Sequence, residues 1–193
     1  MISIAIIGIL TAIIFTNFSQ EKDRNALKSA VHQLQTDLQA MQTNAQGGVL
    51  TGNTVQNGYG IYFNKANFLP SPPNPSSRYG YILFADATTD TLGYLENPST
   101  PSPDTNINTR VFPLGISIPR LADAVGTSYS RVDLVFVKPD GRASINAFKE
   151  SGGNDTPTSV TVTLKSAKLD ICYAITVTAN VGTVSKRQLA SCT

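Results

Sequence analysis

The chain has one histidine, two cysteines and few charges. Charged residues make up 15% of the 193, against roughly 25% in an average soluble protein. Lys plus Arg number 15 and Asp plus Glu 13, a formal net charge of +2, which provides no general attraction to nucleic acid. The lone His32 lies between Val31 and Gln33, beside an apolar stripe, as a helix-surface or interface residue would. A catalytic histidine needs a nucleophile or carboxylate partner that the surrounding sequence does not offer. Asp86, Asp90, Asp104, Asp123, Asp133, Asp140 and Asp170 are scattered singly, with no pair spaced for acid/base work. Glycine motifs for nucleotide binding are missing. Gly152-Gly153-Asn154-Asp155 is at most a weak calcium loop, short of the oxygen ligands such a site requires. The chain is therefore expected not to be an enzyme, and to hold no cofactor and no metal.

Cys172 and Cys192 have no neighbouring His or Cys that would make a zinc site. In a chain rich in Thr, Asn and Pro, a disulfide formed in an oxidising compartment is the favoured reading, with two free buried thiols as the alternative. Closing that loop would contribute about 3 kcal/mol on the chain-entropy view. Hydrophobic residues reach 41% and are patterned, which excludes a disordered chain. The single long apolar run excludes a protein that crosses a membrane several times.

That run occupies residues 1–20, which carry no charge at all. Within residues 1–18 the only polar side chains are Ser3, Thr11, Thr16 and Asn17. A spanning helix needs about 20 such residues, and this segment qualifies. It lacks the basic start, short apolar core and small-residue cleavage site of a secretory signal peptide. After Glu21-Lys22-Asp23-Arg24 a second pattern begins. Leu27, Val31, Leu34, Leu38, Met41 and Ala45 recur at spacings of four and three, the apolar stripe of a helix lying on a globular body. No glycine or proline interrupts between Gly8 and Gly47, so one helix of roughly 45 residues is expected, about 65 Å long. Gly47-Gly48 would end it with a left-handed cap. Such a helix is too long for the remaining body, so its apolar half should project and find partners outside its own chain.

From Val49 the period changes to two and Thr and aromatics become frequent. Strands are expected at residues 58–63, 78–84, 91–95, 110–112, 131–137, 143–147, 159–165, 171–179 and 183–187, with a short one at 116–118. Val132, Leu134 and Phe136, like Val160, Val162 and Leu164, alternate with their neighbours as in antiparallel strands with one buried face. Lys138-Pro139-Asp140-Gly141 signals a hairpin turn. The Pro-rich stretches 69–77 and 97–108 cannot sit inside a sheet and read as surface loops. Lys165, Lys168, Lys186 and Arg187 read as a solvated sheet face rather than a DNA contact. The fold class is thus α+β. Residues 1–47 form the helix, with 1–20 as the membrane or filament-core part and 21–47 as the amphipathic part. Residues 48–193 form a β-rich globular domain.

The run from Ile2 to Ile13, ISIAIIGILTAI, resembles the N-terminal segment of type IV pilins and type II secretion pseudopilins. Aligned on Ile4-Ala5-Ile6-Ile7-Gly8, Met1 matches the seventh residue of a mature subunit. The family's processing site, N-methylated phenylalanine and acidic residue would then lie upstream of it. Thr16 stands where many major subunits carry a helix-breaking proline. The later order, a helix ending in DLQAMQTNAQ, then DLVFVKPDGRASI, then SVTVTLKSAKLDICYAITVTANVGTVS, is similar to the GspH/FimT-type minor pilin and pseudopilin domain. Phe136 to Gly141 and Asn180 to Gly182 carry that likeness. The resemblance implies a subunit of a helical filament of identical copies, used for adhesion, motility or uptake. It also implies a core made by Ile2, Ile4, Ile6, Ile7, Gly8, Ile9, Leu10, Ile13, Ile14 and Phe15, and helix-to-domain packing by Leu27 to Ala45. Before assembly the helix would sit in the bacterial inner membrane, where the pilus assembly machinery would be a partner. The finished filament would lie at the cell surface. The alternative is a minor tip pseudopilin of a type II secretion system, or a DNA-uptake minor pilin. Nucleic acid is not an expected partner of the major-subunit reading.

Overall fold

The computed structural model describes residues 2–51, 54–65, 79–87 and 104–192; side chains are described from Gln20 onward, apart from 50–51 and 54–55. One helix, α1, runs unbroken from Ile2 to Gly47. It ends where glycine permits the left-handed conformation: Gly48 has φ of 61°, and the Val49 amide reaches back to the Asn44 carbonyl at 3.3 Å. That six-to-one bond satisfies one of the carbonyls a helix end leaves over.

Among the described residues twelve short strands follow, all paired antiparallel. β1 (Leu50–Thr51) and β2 (Thr54–Val55) make a small hairpin beside the helix end. The larger sheet has the order β5-β4-β3-β7-β8-β9. Its members are β3 (Gly58–Asn64), β4 (Gly80–Asp86), β5 (Thr105–Val111), β7 (Tyr129–Val137), β8 (Arg142–Lys149) and β9 (Asn154–Asp155). The smaller sheet has the order β12-β11-β10-β6, from β6 (Ile116–Ala122), β10 (Ser159–Ser166), β11 (Cys172–Thr178) and β12 (Val184–Leu189). Nine of the ten expected strands are present with shifted ends; the tenth, at 91–95, lies outside the described residues, as does the 69–77 loop. The α+β class therefore stands, with α1 packed on antiparallel sheets.

A single core joins α1 to both sheets. Leu27, Val31, Leu34, Leu38, Met41 and Ala45 are all buried, as the stripe requires, and Ala30 joins them. They meet Tyr59, Ile61, Phe63, Leu134 and Phe136 of the larger sheet and Val160, Val162, Leu164 and Ile175 of the smaller one. Burying each large aliphatic side chain of this set contributes about 1.5–3 kcal/mol.

Two expectations need correction. The central strands of the larger sheet are buried on both faces, not one. Val132, Leu134 and Phe136 face α1, while Val135 packs with Tyr62, Ile82 and Phe84 in a second apolar cluster on the reverse side. A strand flanked by neighbours on both edges, with both faces covered, need not alternate in polarity. Gly60 belongs to this arrangement, because a Cβ there would run into the Phe84 ring and the Leu134 carbonyl. The second correction concerns residues 97–108, of which Thr105–Asn108 belong to β5. This edge strand is exposed along most of its length, so TNIN shows no apolar period.

Leu38→Ala should lower stability by about 2–5 kcal/mol, whereas Gln39→Ala, on the exposed side of the same helix, should change it by less than about 0.5 kcal/mol. Chemical denaturation of the two variants checks this.

Candidate functional site

The helix–body seam begins abruptly. Gln20, Glu21, Lys22, Arg24 and Asn25 are exposed, and among the described side chains Leu27 is the first that is fully buried. At this point the half-buried Asp23 receives Lys168 of the β10–β11 loop at 3.3 Å. The helical backbone nevertheless continues back to Ile2. Ile2, Ile4, Ile6, Ile7, Gly8, Ile9, Leu10, Ile13, Ile14 and Phe15 thus lie on helical backbone as expected, but their side chains fall outside the described ones. Met1 lies outside the described residues altogether. Among the described residues no helix is long and apolar enough to cross a membrane.

Polar contacts fix the register of the seam. Asp37 follows Leu34 by one helical turn and is only 9% exposed. Its carboxylate accepts the Tyr81 hydroxyl at 2.7 Å and the Arg110 Nε at 3.2 Å, from two neighbouring strands. Burial pushes the Tyr81 phenol far above its ordinary value, and the bond to Asp37 adds to the effect. Tyr81 therefore stays a neutral donor. Near the helix end, Gln42 donates to the Gly141 carbonyl at 3.2 Å and Gln46 to the Asp140 carbonyl at 3.3 Å. The expected turn at Lys138–Gly141 thereby docks on α1, with a cis peptide between Lys138 and Pro139 and Gly141 at φ 66°. The Asn180–Gly182 turn lies against it. A Cβ on Gly182 would meet the Gly141 carbonyl at 2.7 Å and the Gln42 amide. The two turns that carry the domain likeness are therefore brought together on the last turns of the helix.

The fold also joins carboxylates that are far apart in sequence. Tyr129 is fully buried, and its hydroxyl lies 3.1 Å from both Asp123 Oδ2 and Asp155 Oδ2. Burial raises its pKa well above that of a free phenol, and the two acids raise it further. Burial also pushes the Asp123 carboxyl up, but hydrogen bonds from Thr127, Tyr129 and Gly126 outweigh it and hold the group below the usual carboxylate range. Asp155 is lowered chiefly by Lys149, at 3.3 Å; burial opposes this, and Tyr129 and the Thr156 amide add to the lowering. Asp155 is thus committed to a lysine, and with it the one carboxylate of the Gly152–Asp155 loop. Among the described residues no group of three His, Cys, Asp or Glu side chains could hold a metal. His32 is exposed on the helix.

Cys172 and Cys192 form a disulfide, with Cα atoms 5.5 Å apart. The alternative of two free thiols is therefore excluded. The four C-terminal cations do not make one patch. Lys165 pairs with Asp170 at 3.7 Å, Lys168 with Asp23, and the adjacent Lys186 and Arg187 face opposite sides of β12. Comparison with protein-family models, with curated proteins and with solved structures finds no match to this chain.

Asp37→Ala leaves Tyr81 and Arg110 without their acceptor and should cost about 1–3 kcal/mol, against little change for the exposed Thr36→Ala; urea unfolding measures both. Asp123 and Asp155 have folded-state pKa values below their unfolded ones, so their contribution is complete above the ordinary carboxylate range. It is lost as pH falls through the folded values, below about pH 4. Unfolding midpoints between neutral and strongly acidic pH should fall in that window. The slope should be shallower in Asp123→Asn and Asp155→Asn.

Proposed function

We propose that this chain is the structural subunit of a type IV pilus-like helical filament. The observation that carries the reading is one helix, continuous from Ile2 to Gly47, whose buried stripe, among the described side chains, starts at Leu27. The 25 helical residues before Leu27 extend for about 37 Å at the usual rise, and residues 1–18 are almost wholly apolar. An apolar helix of that length has no use in an isolated monomer. In a bilayer it satisfies its own backbone hydrogen bonds. In a bundle of copies the same surface packs helix against helix, with the β-domain outside. The pilin-like N-terminal run and the docked turns at Gly141 and Gly182 support the same reading. An exported location agrees with the Cys172–Cys192 disulfide.

In this reading residues 1–18 do the assembling, while Leu27, Val31, Leu34, Leu38, Met41 and Ala45 hold the domain to the rod. The fibre as a whole would serve adhesion, motility or uptake, and the subunit itself has no catalytic task.

Deleting residues 1–18 should yield a folded, soluble monomer by light scattering and circular dichroism. Ile7→Lys in the full chain should abolish pelletable fibres, because a charge at a helix centre in apolar surroundings costs about 2.5–3.5 kcal/mol. A truncated chain that still polymerised would sink the bundle-core reading. Subunit counting in purified fibres separates a major subunit from a minor tip component.

A further inference from the structure

The outer face of the smaller sheet, turned away from α1 and the core, carries a hollow of about 290 Å³, at the lower end of the size range of small-ligand sites. Its geometry follows from strand register. Arg120 lies opposite Thr163, Thr163 opposite Ala174, and Ala174 opposite Arg187, so these four residues form one row across four strands. Three strand spacings separate the two arginines, about 14 Å between backbones. The two middle positions are a threonine and an alanine, both buried. Large side chains at the ends and small ones in the middle make the dip.

We infer that this hollow binds a small sugar bearing a tetrahedral oxyanion, a phosphate or a sulfate ester. Two guanidiniums flank the same space, and among the described residues neither takes part in an ion pair. The lining contains one acid, Asp123, whose carboxylate oxygens are both engaged by neighbouring groups. Its Oδ1 accepts the Val125 and Thr127 amides at 3.0 and 2.7 Å, and its Oδ2 the Tyr129 hydroxyl. Two guanidiniums against one carboxylate leave the lining with an excess of positive charge. Arginine's planar fork suits a tetrahedral oxyanion in a two-pronged contact. The rest of the lining is mixed: Thr163 and Ser191 bring hydroxyls, Ala174 and Leu189 apolar surface. That mixture fits the hydroxyls and ring face of a sugar better than a bare ion. The Cys172–Cys192 disulfide sets one wall, because it holds Ser191 over the face on which Cys172 and Leu189 pair. The site does not depend on the filament reading, since it lies wholly within the β-domain.

The test is calorimetric titration of the full chain in non-ionic detergent with glucose 6-phosphate and, separately, glucose 6-sulfate; the two arms distinguish the esters. At least one should bind in the millimolar range or tighter, with glucose and inorganic phosphate each about tenfold weaker. Arg120→Gln and Arg187→Gln should each weaken binding about tenfold, the size of a lost charge-assisted hydrogen bond. Lys186→Gln, on the other face of β12, should leave it unchanged. Both arginines are exposed, so neither substitution threatens the fold. No binding of either ester, equal binding of inorganic phosphate, or affinity that survives both arginine substitutions would overturn the proposal.

Discussion

The whole structure depends on one apolar stripe along the second half of α1. Leu27, Val31, Leu34, Leu38, Met41 and Ala45 are where the two sheets and the helix share a core. Neither sheet closes into a barrel, so each has an inner face that something must cover, and α1 covers part of both. The stripe exists because four and three residues alternate to keep one face of a 3.6-residue turn apolar. Remove it and the inner faces of β3, β7, β10 and β11 lose their shared cover.

Apolar packing is non-directional and leaves the helix free to slide or rotate by a turn. Polar contacts remove that freedom. Asp37 accepts hydrogen bonds from both Tyr81 and Arg110, and a shift of one helical turn would bury a carboxylate without partners. Gln42 and Gln46 do the same for the turns at Gly141 and Gly182. Hydrophobic contact therefore supplies most of the free energy, and a few buried polar groups supply the register.

How much of this could be read in advance depended on whether the signal was local. The helix was legible to its last residue, because an uninterrupted run, a heptad stripe and a glycine cap are all written within a few residues of where they act. The core list followed from the same stripe. β5 was mostly missed, because an exposed edge strand has no face to keep apolar and Thr105–Asn108 look like the loop before them. The Tyr129 cluster could not be found from spacing. Asp123 and Asp155 meet only because β6, β7 and β9 are brought together, and each acid alone looks like an ordinary surface residue. Asp37 did leave a trace: an aspartate one turn from both Leu34 and Met41 on an otherwise apolar face marks a buried partner. Arg120 and Arg187 are 67 positions apart, and only the sheet register reveals that they share a row.

The direction of the seam has a mechanical consequence. The apolar rows of α1 run parallel to the helix axis, and the helix continues N-terminal to Leu27 in that same direction. Tension drawn through residues 2–24 therefore acts on the seam in shear, loading Leu27 through Ala45 together rather than peeling them off one at a time. Asp23 with Lys168 stands at the near end of that line and Gln46 with the Asp140 carbonyl at the far end, so the polar contacts bracket the sheared length. A domain attached in this way resists a pull along its stalk far better than a pull across it.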